Sequence, residues 1–201
     1  MIEKLLIATR NEGKLAEFKI LLKDLPIELV SLKDLGISHE VMEDGQTFEE
    51  NAIKKAKEYA KLSGMPTIAD DGGLEIDTLG GQPGVHSRRW FGHRMSDREL
   101  IDAVMDKMKN VPMVKRTARM RTVIALVIPS NPDIKLFKGK IEVQIAQKPS
   151  SKLIPGYPFR SFMYLPRRKK FFVDISFEEQ AKFSHRGQAA KELVKYLKIH
   201  N

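Results

Sequence analysis

The chain contains no cysteine in 201 residues. Disulfides, thiolate metal sites and cysteine nucleophiles are therefore excluded. No apolar run approaches the roughly 18 residues that a membrane span requires. The opening MIEKLLIAT is too short an apolar run for a signal peptide and continues directly into patterned sequence. Repeats, low-complexity tracts and long linkers are missing as well. These absences point to a soluble cytoplasmic protein with no membrane partner. What is present, 42% hydrophobic residues, suffices for one substantial core or for two lobes sharing a sheet, so residues 1–201 read as a single domain.

Negative charge is also in short supply. Lys and Arg number 35 against 26 Asp and Glu, a formal net charge of +9. Such an excess favours anionic partners: nucleotides, nucleic acid or anionic lipid surfaces. Much of it is spread along helical patterns, as in Lys54, Lys55, Lys57 and Lys61, which read as a solvated face. The run Arg167-Arg168-Lys169-Lys170 lies between apolar segments and reads as a solvated hairpin tip.

The densest chemistry lies in PTIADDGGLEIDTLGGQPGVHSRRWFG, from Pro66 to Gly92. Thr67-Ile68-Ala69 reads as a short strand ending in Asp70 and Asp71, and strand ends are where open α/β sheets place ligands. Adjacent carboxylates repel unless a cation or proton lies between them. Gly72 and Gly73 allow close backbone approach. His86, Arg88 and Arg89 follow a rigid Gly-Gly-Gln-Pro-Gly turn beside the single tryptophan. Acids for a metal and bases for an anion in one stretch suggest phosphate chemistry on a metal-bound substrate.

Around this stretch the pattern alternates strands and helices. Lys4 to Ala8 is a buried-type strand feeding Thr9-Arg10-Asn11-Glu12-Gly13-Lys14, and a helix follows with Leu15, Phe18, Leu21 and Leu22 at helical spacing. A helix start with a lysine suits phosphate, because unpaired N–H groups and the positive dipole end face the anion. The spacing is not that of a Walker A loop. Ile27 to Val30 reads as a second strand. Thr47 and Glu50 form a capping box before a helix ending at Ser63-Gly64, and Glu43, ahead of it, is a candidate for metal or water contact. Ser96 and Glu99 form another capping box. Arg121 to Ile128 reads as a mid-sheet strand, and Phe137 to Ile145 as a half-exposed antiparallel one. Phe162 to Leu165 and Phe171 to Ile175 flank the basic tip as short strands. The last helix opens at Ser184-His185-Arg186, a further possible anion site. One α/β unit with a mixed sheet fits this order.

Four segments, ATRNEGKLAEF, EDGQTFEENAIKKA, IADDGGLEIDTLGGQPGVHSRRWFG and SHRGQAAKEL, together resemble the non-canonical purine nucleoside triphosphate pyrophosphatases, the inosine/xanthosine triphosphatase family. The resemblance covers nearly the whole chain. It implies an α/β fold with an elongated mixed β-sheet, flanking helices and two lobes around a central substrate cleft. It also implies Mg²⁺-dependent hydrolysis of ITP, XTP and deoxy-ITP to monophosphate and pyrophosphate, by a homodimer. Under it, Thr9, Arg10, Asn11, Glu12, Gly13 and Lys14 correspond to the triphosphate-binding loop. Glu43 and Asp71 correspond to the Mg²⁺-associated carboxylates, with Asp71 also the general base. His185 and Arg186 correspond to the pair that recognises the purine carbonyl.

The chain departs from the family pattern at three places. Gly72 falls where the family usually has a serine contacting substrate, which leaves only backbone for that contact. The family's glycine-phenylalanine-glycine-tyrosine-aspartate-proline segment aligns to Gly156-Tyr157-Pro158-Phe159-Arg160-Ser161. Tyr157 there retains an aromatic to stack on a base, but the aspartate has become Arg160. The family's base-contacting lysine falls at Gln180. The phosphate and metal end thus matches, and the base-reading end is rewritten. Two other readings stand beside the enzyme. A basic nucleic-acid-binding module explains the charge but leaves Glu43, Asp70 and Asp71 without a role. A catalytically weakened relative that binds nucleotides fits the changes at Arg160 and Gln180. Hydrolysis of purine nucleoside triphosphates is the favoured reading, and nucleic acid is not the expected partner.

Overall fold

The computed structural model describes residues 2–129 and 131–200. Seven strands form one mixed sheet: β1 (Lys4–Ile7), β2 (Glu28–Ser31), β3 (Thr67–Ile76), β4 (Thr117–Ile128), β5 (Asn131–Ile145), β6 (Met163–Leu165) and β7 (Lys170–Phe171), in the order β2-β1-β3-β4-β5-β6-β7. β1 runs parallel to β2 and β3, and every later pairing is antiparallel. Among the described residues, five α-helices flank it: α1 (Glu12–Leu21), α2 (Phe48–Ser63), α3 (Asp97–Met108), α4 (Phe177–Ala181) and α5 (His185–His200). The mixed α/β fold expected from the pattern is what the chain adopts. Among the described residues, no helix is long and apolar enough to cross a membrane.

Period-two alternation divides β1, the start of β3 and the end of β4 between two cores. Leu5, Ile7, Ile68, Ile124 and Leu126 point to one face and pack with Phe18 of α1 and Ala190, Leu193 and Leu197 of α5. Leu6, Ala8, Ala69, Val123 and Ala125 point to the other and pack under Phe48, Ala52, Ala56 and Tyr59 of α2. A third core gathers Leu74, Ile76, Val143, Ile145, Phe162 and Phe172 with Ile101, Val104 and Met108 of α3. The helix signals hold at α3, where Ser96 and Glu99 cap each other reciprocally. At α2 the box is offset: the Thr47 hydroxyl accepts from the Glu50 N–H, but the Glu50 carboxylate accepts from the N–H of Gln46.

Several strand expectations need correction: β4 begins at Thr117, before the expected Arg121, and β5 at Asn131, before the expected Phe137. The strand expected to stop at Ala69 continues through both acids to Ile76, paired with β4 along its length. Gly72 and Gly73 therefore lie mid-strand, not in a turn. A Cβ at Gly72 would collide with the Arg121 carbonyl, and one at Gly73 would come within 2.6 Å of the Gly84 carbonyl. The glycines permit close packing of neighbouring backbone on both sides. The strand expected over Phe171 to Ile175 ends at Phe171, because the chain turns inward through Phe172–Asp174 to bury Phe172 and Val173. The basic tip is a turn in which Arg168 pairs with Glu179 at 2.7 Å and lies over Phe183.

Candidate active site

A cleft of about 700 Å³ is lined by the β1–α1 loop, the segment before α2, mid-β3, the turn over Gly84–Arg89, the start of α3, the segment from Pro155 to Arg160, and the start of α5. Its size is that of a small-molecule site. Thr9, Arg10, Asn11, Glu12, Gly13, Lys14, Glu43, Asp71, Gly72, Tyr157, Pro158, Phe159, Arg160, His185 and Arg186 all line it. Gln180 does not. It is fully buried, with its amide donating to the carbonyls of Phe172 and Ile175.

The first wall is a helix start. Asn11 caps α1, its side-chain oxygen accepting from the Lys14 N–H at 3.1 Å, so the positive end of the helix opens on the cleft. The Lys14 ammonium sits 3.1 Å from Asp70. Arg10 donates to the carbonyls of Ser38 and His39 and so fastens the neighbouring segment.

The second wall is mid-β3. Because the strand continues, Asp70 and Asp71 point to opposite faces with different direct partners, although the Lys55 and Lys14 charges act on both. Asp70 pairs with Lys14 and Arg186, the latter at 2.8 Å. Burial alone would raise its carboxyl, but these cations together with Lys55 hold it well below the usual carboxylate range. Asp71 accepts from the Asn51 amide at 3.0 Å and from the Gly72 N–H at 2.9 Å. Burial pushes its carboxyl up, and the Lys55 ammonium, 3.9 Å away, offsets that only in part. Lys55 pairs directly with Glu43 and donates to the Asp70 carbonyl at 2.7 Å. Burial opposes the Lys55 charge, yet the three surrounding carboxylates raise its pKa. Lys55 in turn lowers that of Glu43 against the latter's own burial.

The third wall is organised by Glu17, 1% exposed. One of its oxygens accepts from the Tyr157 hydroxyl at 3.0 Å, Arg160 at 2.9 Å and Arg186 at 2.8 Å. The Arg160 guanidinium lies 3.8 Å over the Tyr157 ring, with Phe177 and Phe172 also close. One face of the ring expected to stack on a base is thus already taken. Burial, then the charges of Arg186 and Arg160, push His185 well below the usual imidazole range, which keeps it neutral. Arg160 Nη1, His185 Nδ1 and Glu17 Oε1 are buried with no hydrogen-bond partner among the described residues. Asp70 Oδ1 and Gln180 Oε1, neither of them on the cleft lining, are without such a partner too, so these atoms mark unspent polar capacity in the interior and do not by themselves locate a ligand.

Lys55, Asn51 and Glu17 escaped the sequence reading. Lys55 is 8% exposed, not part of a solvated face. The signal was available: Asn51, Ala52, Lys55, Ala56 and Tyr59 form one helical stripe, and all are buried. Glu17 lies inside the segment ATRNEGKLAEF, one turn beyond Lys14, but its partners are 140, 143 and 169 residues away and leave no local trace.

A mixed seven-stranded α/β sheet, with a cleft cationic at a helix start and carboxylate-lined at mid-strand, defines the class of protein. The model of the Ham1 family matches residues 5–196. A dITP/XTP pyrophosphatase from Bacillus subtilis is 38% identical over 197 residues, covering 98% of both chains. One from Geobacter sulfurreducens is 37% identical over 194 residues, covering 96% of both. The solved Coxiella burnetii HAM1 protein superposes with a TM-score of 0.85 at 34% identity, over 99% of this chain and 100% of its own. The Staphylococcus aureus Ham1 protein gives 0.83 at 32% identity, over 98% and 100%. The chain belongs to the Ham1 family, and the resemblance drawn from its motifs is borne out.

Proposed function

We propose that the protein hydrolyses inosine, deoxyinosine and xanthosine triphosphates to the monophosphate and pyrophosphate, clearing aberrant purines from the nucleotide pool. Relatives named dITP/XTP pyrophosphatase over nearly the full chain support this activity. The observation that carries it is one cleft holding the Asn11–Lys14 helix start, the Glu43–Lys55–Asp71 cluster and the Glu17-centred polar end.

In this reading the α1 N-terminus and Lys14 bind the phosphates. Asp71, oriented by Asn51 and the Gly72 N–H, takes a proton from water as the water oxygen bonds to the α-phosphorus. The bond from that phosphorus to the bridging oxygen breaks, and pyrophosphate leaves with its charge offset by Lys14. A carboxyl raised by burial is suited to accept that proton. Two carboxylates on the cleft, Glu43 and Asp71, suit Mg²⁺, which is commonly held by one or two carboxylates plus substrate phosphates. When bound, Mg²⁺ supplies charge stabilisation on the triphosphate. Arg160 lines the cleft, and its guanidinium can donate to a base carbonyl but finds no acceptor in the exocyclic amine of adenine. A 6-oxo purine is therefore preferred over adenine. A homodimer is the assembly expected from the resemblance, and the cytoplasm is the setting expected from the composition.

The test is pyrophosphate release from ITP, deoxy-ITP, XTP, GTP and ATP with Mg²⁺. Turnover should be greatest for ITP, deoxy-ITP and XTP. A folded protein that binds these nucleotides without releasing pyrophosphate would overturn the proposal in favour of a binding role.

A further inference from the structure

The start of α3 already has a complete cap in Ser96 and Glu99. The next residue, Asp97, is therefore not needed to satisfy the helix end, and its carboxylate reaches across the cleft wall instead. One oxygen accepts from the Gly156 N–H at 2.7 Å, and the other pairs with Arg88 Nη1 at 2.6 Å. The Asp97 side chain is 19% exposed, whereas that of Arg88 is 41% exposed on the cleft side. Arg88 is tied further to its own strap, since its carbonyl accepts from the Met95 N–H at 2.8 Å.

Gly156 is held from the other side as well. Its carbonyl accepts from the Asn11 side chain at 3.3 Å, and Asn11 is the cap of the helix start assigned to phosphate. Gly156 has φ +80°, and a Cβ there would stand 2.9 Å from the Asn11 amide, so the approach requires glycine. Three regions distant in sequence are thereby linked in a row: Arg88 with Asp97, Gly156, and Asn11. Tyr157, next in the chain, and Arg160, three residues further, carry the polar end of the cleft.

We propose that Asp97 is a positioning residue: through Gly156 it sets the Tyr157–Arg160 segment against the phosphate loop, and through Arg88 it aims a cation into the cleft. This inference rests on the nucleotide reading of the same site. Its two contacts separate chemically. Asn at position 97 keeps an oxygen for the Gly156 N–H but loses the charge that holds Arg88, whereas Ala loses both.

Steady-state kinetics with ITP and ATP on Asp97→Asn, Asp97→Ala and Arg88→Ala tests it. Asp97→Asn and Arg88→Ala should each raise KM for both nucleotides by about tenfold, with kcat nearly unchanged and the ITP-to-ATP ratio of kcat/KM preserved. Asp97→Ala should in addition lower that ratio by about three- to tenfold, because the segment bearing Arg160 is released. Loss of folding alone cannot move a ratio measured on one preparation. Unchanged KM and ratio in folded Asp97→Ala would overturn the inference. Should that variant not fold, wild-type KM in both Asp97→Asn and Arg88→Ala would overturn it instead. A wild-type protein inactive on every triphosphate would sink the activity itself. The same variants titrated with ITP by calorimetry would then decide the positioning role, equal affinities refuting it.

Discussion

Replacing Arg160 with methionine removes one of three donors from a carboxylate that is 1% exposed. Methionine fills the same aromatic cage of Tyr157, Phe172 and Phe177, so the loss reports charge more than volume. A hydrogen bond to a buried charged group contributes about 1.5–3 kcal/mol. The desolvated cation over the Tyr157 ring adds about 2 kcal/mol. Sulfur against the same rings returns about 0.3–1.5 kcal/mol. Glu17 keeps Arg186 and the Tyr157 hydroxyl, so the change falls near the low end of the roughly 3–5 kcal/mol expected for breaking a buried pair. We expect a loss of about 3 kcal/mol, which for a chain of this size lowers Tm by about 6–12 °C. Urea unfolding of both proteins measures it, with the slope m confirming that the transition still exposes the same surface. A loss below about 1 kcal/mol at unchanged m would refute the reasoning, since desolvation of the pair would then have cancelled its attraction.

Asp71→Asn keeps the contact with Asn51 in shape but removes the proposed base, and should lower kcat by at least about 100-fold. Near-normal turnover in the folded variant would exclude that role. Lys14→Ala should weaken triphosphate binding far more than nucleoside binding, and equal losses would make the loop structural only. Asp70→Asn should be destabilising at neutral pH. The folded Asp70 carboxyl lies below its ordinary value of 3.8, so its ionisation stabilises the fold above that pH and the benefit disappears as pH falls toward the folded value. The stability gap between wild type and Asp70→Asn should thus narrow below about pH 4. A gap of the same size at pH 3 and pH 7 would contradict this.

Helix ends and strand faces were legible locally, since a cap and its first turn, or a residue and its next-but-one neighbour, lie within a few positions. The Ser96–Glu99 box, the Gly64 terminus of α2 and the buried alternation of Ile141, Val143 and Ile145 all follow from such spacing. The extent of β3 did not, because two glycines after two acids suit a turn as well as a strand. Only the approach of the Arg121 and Gly84 carbonyls shows why side chains are excluded there. That approach also decides the roles of the acids, since a continuing strand sends Asp70 to Arg186 and Asp71 to Asn51. The identity of Arg160 was readable as a charge reversal, but its counter-ion was not: Glu17 lies 143 residues away, and helix α1 meets it only once the sheet is assembled. Gln180 likewise occupied a position matched by alignment, while packing turned its side chain onto the Phe172 and Ile175 carbonyls and away from the cleft. Sequence alone determined the order of most elements and the Asn11–Lys14 and acidic motifs, because those depend on neighbours along the chain. Tertiary structure decided which charges neutralise one another, because burial and pairing depend on neighbours in space.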